Sequence, residues 1–173
     1  MSARAPDHFS LLGFAPRFAL DPQALDAAYQ RVQAQVHPDR FAVASAAERR
    51  VAMQWATRAN EAYRVLRDPV QRAACLCEMH GALIEGESNT AMPAPFLIQQ
   101  MAWREALDEA GSSAEREELQ RAVAGEQARL LSDLERKIDV EQDFPGAAAL
   151  VRQLMFTSKF SGELATIAQR GAA

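Results

Sequence analysis

The sequence has no long hydrophobic run. None of its 173 positions begins a stretch of the roughly 18 apolar residues that a membrane-spanning helix needs. The first ten residues, MSARAPDHFS, contain no apolar core of signal-peptide length. We therefore expect neither export nor membrane insertion, and a cytoplasmic location. With 49% hydrophobic and 24% charged residues, the composition is that of a soluble globular protein with one ordinary domain or two small ones.

Cysteine is scarce, and the two that are present do not form a metal-binding pattern. Cys75 and Cys77 would point about 160° apart on a helix. Even with His80 added, no second pair of ligands lies at the spacing of a zinc site. We therefore predict no metal site and interpret both cysteines as small apolar residues of a helix.

Signs of catalysis are also lacking. The chain contains no G-x-x-x-x-G-K-[ST] motif and no other glycine-rich phosphate loop. Its three histidines, His8, His37 and His80, do not stand at spacings from carboxylates that suggest a nucleophile, a base and an orienting group. We expect a protein that is not an enzyme and carries no cofactor.

The charge differs between the two parts of the chain. Residues 1–76 have ten arginines and seven acidic residues, which gives +3, whereas residues 77–173 have nine basic and sixteen acidic residues, which gives −7. Two interpretations stay open at this point. The imbalance is ordinary variation in solvated helix surfaces, or it reflects two domains that meet different partners.

The hydrophobic periodicity predicts helices only, so the fold class is all-α. A short apolar turn, DHFSLLGF, ends at Gly13, and a helix follows with Asp21 as N-cap and Pro22 at its first position. One face of this helix is apolar and comprises Leu25, Ala28, Tyr29, Val32 and Val36.

A second long helix precedes Asp68 and Pro69. Its expected apolar face comprises Val51, Trp55, Ala59, Ala62 and Leu66. The short connection between the two long helices predicts that they are antiparallel. Pro69 starts a further helix that closes near Gly81.

Residues 81–93, rich in Gly, Ser, Asn and Pro, are the expected linker between a domain at residues 1–80 and a three-helix bundle at residues 94–173. In the bundle, one helix ends at Gly111, a second runs from about Ser113 to Val140, and a third opens after Asp143 and continues past Ile167. The second helix is expected to bury Leu119, Val123, Leu130, Leu134 and Ile138.

The residue pattern of the first bundle helix predicts two different faces. At 100° per residue, Phe96, Trp103 and Leu107 form a core stripe. The opposite side carries an apolar and acidic patch of Leu97, Ile98, Met101, Glu105 and Glu109. Scattered apolar residues are common on protein surfaces, so the pattern alone leaves open whether this patch binds a partner.

Between the two long helices lies QVHPDRF, residues 35–41. Pro38 biases His37 towards extended conformations, so the preceding helix should stop at about Val36. The loop then presents an imidazole beside the carboxylate of Asp39, held by a proline that limits the entropy lost on docking. The alternative is a plain turn in which Asp39 only caps the next helix.

The helix, the His-Pro-Asp loop and the second helix ending in RANEAYRVLRDPVQRA resemble a J-domain, the module by which co-chaperones engage ATPases of the DnaK class. The resemblance implies that His37, Pro38 and Asp39 bind the ATPase. The positive charges of Arg31 and Arg40 would then steer the encounter with it. Arg40 stands where lysine is usual.

The J-domain followed by an acidic bundle with PFLIQQMAWREALDEA resembles the HscB family of iron-sulfur cluster assembly. The resemblance implies two partners, an HscA-type ATPase and the scaffold protein IscU, and neither nucleic acid nor membrane. The family's scaffold-binding positions correspond here to Leu97, Ile98, Met101, Glu105, Glu109 and Phe156, while Ala102 replaces the usual acid. A J-domain co-chaperone for unfolded clients, or for assembly of another complex, is the alternative.

Overall fold

The chain is built from helices. The computed structural model describes residues 7–36, 45–84 and 92–171, and no strand occurs within these ranges, as the all-α prediction requires. The helices are α1 His8–Leu12, α2 Pro22–Val36, α3 Ala46–Arg67, α4 Pro69–Met79, α5 Ala94–Glu109, α6 Ser113–Glu135 and α7 Phe144–Gly171. They fall into two compact units, residues 1–76 and 77–173, whose boundary lies within α4.

Unit 1 begins with the predicted short turn. In α1, Asp7 is the N-cap and accepts a hydrogen bond from the Ser10 amide at 2.8 Å. Gly13 closes the helix with φ +81°, a left-handed conformation that glycine adopts at little cost. Phe9 and Leu12 are buried, so even this five-residue helix contributes two large side chains to the core of its unit.

The predicted apolar face of α3 is only partly buried. Ala59, Ala62 and Leu66 are 0% exposed, but Val51 and Trp55, at the N-terminal end of this face, are 52% and 40% exposed. The reason is the length of α1, which packs against α3. Five residues span about 7.5 Å, whereas the 22 residues of α3 span about 33 Å. Much of that face therefore extends past the end of α1.

Unit 2 has a core of large side chains along α6 and α7. All five predicted core positions of α6 and its continuation are buried, from Leu119 to Ile138. The predicted single helix to Val140 is interrupted, because the α-helix ends at Glu135 and a π turn follows over Arg136–Val140. The wider turn keeps Ile138 in the core while Arg136 and Lys137 pair with Glu141.

The last turn of α4 belongs to unit 2. The Cys77 thiol donates to the Phe144 carbonyl oxygen at 3.7 Å, and the His80 ring stacks on the Phe144 ring at 3.7 Å between centroids. These contacts explain why the units divide after Leu76 rather than after residue 80. Part of the expected linker, residues 85–91, lies outside the described ranges.

Candidate functional site

The antiparallel pairing of α2 and α3 is fixed by polar contacts. Tyr29 donates to Asn60 Oδ1 at 2.8 Å, and Tyr63 donates to Asp26 Oδ1 at 2.7 Å. The rings of Tyr29 and Tyr63 stack with centroids 4.2 Å apart. Because partners later in α2 lie earlier in α3, the two helices run in opposite directions. Their register sets the position of the end of α2 relative to the start of α3.

The two ends of the His-Pro-Asp segment are well defined. On one side α2 ends at Val36, as predicted, where a groove between α2 and α3 is lined by Val36, Ala52 and Met53. On the other side Ser45 caps α3: the Glu48 amide donates to Ser45 Oγ at 3.2 Å, and the Ser45 amide donates to Glu48 Oε2 at 2.8 Å. Hydrogen bonds from Ser45 lower the pKa of Glu48. Ser45 is thus the N-cap of α3, whereas Asp39, the cap in the alternative interpretation, lies outside the described residues.

Of the five predicted ATPase-binding residues, the structure describes only Arg31. Arg31 lies on the exposed side of α2, six residues before His37. His37, Pro38, Asp39 and Arg40 lie outside the described residues, so their joint role stays a prediction.

The core stripe of α5 is confirmed. Phe96 and Trp103 are 6% and 4% exposed, and Leu107 packs against the cluster around Trp103. Trp103 stacks on Phe160 of α7 with centroids 5.9 Å apart. These contacts fix the rotation of α5 in the bundle and therefore determine which side chains face outward.

The outer face of α5 presents large apolar side chains to solvent. Ile98 and Met101 are 67% and 64% exposed, and Leu97 is 44% exposed. Glu105 and Glu109 are exposed on the same half of the helix. Glu109 lies about 18 Å along the axis from Leu97 and lines a groove between α5 and α6. The structure thus brings Leu97, Ile98, Met101 and Glu105 together and leaves Glu109 at the far end.

Phe156 of α7 joins this surface at the start of α5. Its ring is half-buried and meets the Phe96 ring edge-on at 6.3 Å between centroids. The neighbouring Met155 is 40% exposed, and sequence reasoning missed it. The helical pattern gave no signal for it, because at 100° per residue Met155 projects only about 40° from the buried Val151.

The cysteines behave as the sequence predicts for apolar helix residues. Cys77 is buried and Cys75 is half-buried, and both are free thiols. Within the part of the chain that the structure describes, no group of three or more His, Cys, Asp or Glu side chains could hold a metal ion. In the same ranges, none of the helices is both long and apolar enough to cross a membrane.

The chain matches curated proteins over almost its whole length. It is 54% identical over 168 residues to the protein called "Co-chaperone protein HscB homolog" of Bordetella avium, a match that covers 94% of this chain and 98% of that one. The chain belongs to the HscB co-chaperone family. A Burkholderia pseudomallei HscB homolog is 48% identical over 166 residues, with 94% of each chain covered.

Solved HscB structures have the same fold. The crystal structure of human co-chaperone HscB matches with a TM-score of 0.89 and 28% identity, over 95% of this chain and 83% of that one. Chaperone HscB from Vibrio cholerae matches with a TM-score of 0.83 and 29% identity, over 95% and 99% of the two chains. This HscB family member is therefore a J-domain followed by a C-terminal helical domain. Residues 92–165, which contain the whole α5 and α7 surface, match the family model "HSCB C-terminal oligomerisation domain".

Proposed function

We propose that this co-chaperone binds an IscU-type scaffold through unit 2 and delivers it to an HscA/DnaK-type ATPase, whose hydrolysis it stimulates through unit 1. The observation that carries the proposal is the outward face of α5. Three large apolar side chains, Leu97, Ile98 and Met101, remain in water although Phe96 and Trp103 of the same helix fill the core. Contiguous apolar surface of this kind is characteristic of interaction sites.

Burial of this face gives a reason for binding a folded partner. Each large apolar side chain that leaves water contributes roughly 1.5 to 3 kcal/mol before the costs of association. Phe156 is already held against Phe96, so docking on it costs little side-chain entropy. Glu105 and Glu109 add negative charge, which favours a scaffold surface that is basic around an apolar centre.

In unit 1 the proposal assigns the ATPase contact to His37, Pro38 and Asp39. A carboxylate pairs well with an arginine fork, and His37 can donate and accept hydrogen bonds. The capping box at Ser45 and the register of α2 with α3 hold both ends of this segment. Arg31 and Arg40 supply positive charge for the encounter. The partner ATPase carries out the hydrolysis itself. The proposed role of the whole cycle is the maturation of iron-sulfur proteins.

The test is an ATPase assay with the full chain. We expect the chain alone to stimulate an HscA-type ATPase, and apo scaffold to raise that stimulation further. In parallel, titration calorimetry should detect binding to the folded scaffold and none to a permanently unfolded polypeptide. Equal binding to the unfolded polypeptide would favour the general co-chaperone instead. A chain that leaves the ATPase at its basal rate would refute the proposal for unit 1.

A further inference from the structure

The exposed side of α7 next to Phe156 carries two residues with no role in the core. Met155 is 40% exposed, and Lys159, one turn later, is exposed as well. They are four positions apart and therefore lie on one face of the helix. Within the described residues Lys159 has no ion-pair partner, whereas Arg104 and Glu163 nearby pair with each other.

Two contacts show which side of α5 this face adjoins. The Arg104 guanidinium donates to both carboxylate oxygens of Glu163 at 2.9 Å, and Phe96 meets Phe156. Later residues of α5 contact later residues of α7, so the two helices are parallel. Leu97 precedes Arg104 by seven residues, or about two turns, and thus lies on the flank of α5 that faces α7.

Met155 therefore continues the apolar surface of α5. Leu97 lies on the α7 side of that helix, Phe156 lies between the helices, and Met155 follows on the outer side of α7. Its neighbours Leu154 and Thr157 are buried, so the α7 backbone positions Met155 firmly although the side chain itself is in water. The apolar area thus spans two helices rather than one.

The charges around this area are of opposite sign on different sides. Glu105, Asp108 and Glu109 lie towards the C-terminal end of α5 and are exposed. Lys159 lies on α7, close to the axial level of Met101, since Phe160 stacks on Trp103. An apolar centre with an acidic side and a basic side can be matched in only one orientation by a partner with complementary charges.

We propose that Met155 and Lys159 are part of the scaffold-binding surface: Met155 extends its apolar centre onto α7, and Lys159 forms a cationic side that receives an acidic group of the scaffold. This inference rests on the proposed function, because it takes the scaffold as the occupant. The α5 acids then face basic groups of the same partner, and the two charged sides together fix the orientation in which the scaffold docks.

Titration calorimetry of the full chain against an apo IscU-type scaffold tests this surface. Met155→Ala should raise Kd about fivefold and Lys159→Glu about tenfold, in the range of side chains at the edge of an interface. Two matched controls separate local contact from general effects. Val140→Ala truncates a side chain that is 75% exposed on the π turn, and Arg121→Glu reverses a charge on the exposed side of α6. Each control should change Kd by less than about twofold.

The outcomes distinguish this inference from the proposed function. If the wild-type chain binds no scaffold, the proposed function fails and this inference fails with it. If the wild type binds while Met155→Ala and Lys159→Glu match their controls, only the extension onto α7 is overturned. A loss confined to Lys159→Glu that equals the loss in Arg121→Glu would mean that net charge, and not a local contact, is responsible, which also overturns it. Circular dichroism confirms that each variant is folded.

Discussion

The two units differ in how much of the buried surface of their long helices is made of alanine. In unit 1 the long helices carry buried alanines, Ala28, Ala52 and Ala59, and their register is set by the bonds of Tyr29 and Tyr63. In unit 2 the core is filled by large side chains such as Leu130, Leu154 and Phe160. Small residues allow close helix approach, and directional polar bonds fix the position of a helix along its neighbour. Unit 1 is thus suited to fixing the end of α2 relative to the start of α3, and unit 2 to presenting a helix face.

The largest expected effect is on the loop of unit 1. His37→Gln or Asp39→Asn should reduce stimulation of the HscA-type ATPase to near background, because either change removes a partner for hydrogen bonding or ion pairing. The free energy of unfolding should change by less than about 0.5 kcal/mol, as for surface substitutions in general. Scaffold binding, measured by calorimetry, should stay at the wild-type level.

Glu61→Gln is the matched control, since it also changes a carboxylate to an amide on the exposed surface of α3. It should stimulate like the wild type. Wild-type stimulation by the Asp39→Asn chain would show that this loop does not carry the ATPase contact.

The reverse separation is expected for unit 2. Changing Leu97, Met101 and Phe156 together to Ala should raise the Kd for apo scaffold by about a hundredfold or more, since each residue at the centre of an interface contributes on the order of 1 to 2 kcal/mol. Stimulation of the ATPase without scaffold should remain, while the extra stimulation that scaffold provides should disappear.

An equal number of exposed apolar side chains on α3 provides the control. Val51, Met53 and Trp55 are 52%, 66% and 40% exposed, and their triple replacement by Ala should leave the Kd for scaffold unchanged. Equal weakening in both triple variants would mean that general hydrophobicity, not the α5 and α7 surface, governs binding. A collapsed circular dichroism signal would mean that the α5 residues support the fold.

Opposite changes in side-chain size should destabilise the two units: removal of a large side chain in unit 2 and enlargement of an alanine in unit 1. Leu130 is 0% exposed, and Leu130→Ala should lower the free energy of unfolding of unit 2 by about 2 to 5 kcal/mol through a cavity. Ala59 is also 0% exposed, and Ala59→Leu should destabilise unit 1 by about 1 to 3 kcal/mol because the added carbons have no space.

Urea denaturation followed by tryptophan fluorescence measures both changes. The chain has two tryptophans, Trp55 in unit 1 and Trp103 in unit 2. Trp55→Phe therefore leaves a signal from unit 2 alone, for Leu130→Ala, and Trp103→Phe leaves a signal from unit 1 alone, for Ala59→Leu. The difference between units would be refuted if Ala59→Leu were neutral or Leu130→Ala cost less than about 1 kcal/mol.

The sequence could predict features that depend on neighbours along the chain. The period of α5 placed Phe96 and Trp103 inward and Met101 outward, and the structure agrees, because a helix determines relative side-chain directions by itself. The same holds for the caps, where Gly13 and Asp68 end their helices as predicted.

Features that depend on distant parts of the chain were out of reach. The exposure of Val51 and Trp55 follows from the five-residue length of α1, which the pattern of α3 does not contain. The π turn follows from packing of Ile138 together with ion pairs to Glu141. For the binding surface, Phe156 came from family resemblance alone, whereas Met155 emerged only when the contacts between α5 and α7 were known.

The smallest expected effect concerns the thiol at the start of unit 2. Burial raises the pKa of Cys77 to about 11, from an ordinary value of 9.0. As pH rises, the unfolded chain therefore loses this proton first, so the free energy of unfolding should fall between about pH 9 and pH 11. Below pH 9 the contribution is intact. The free energy of unfolding should fall by at most about 1.4 kcal/mol per pH unit, the value for one proton. Urea denaturation of Cys75→Ala and of the Cys75→Ala, Cys77→Ala double variant at several pH values isolates the effect. The two curves should converge as the pH rises, and a constant difference between them would show that Cys77 keeps its ordinary pKa in the folded unit.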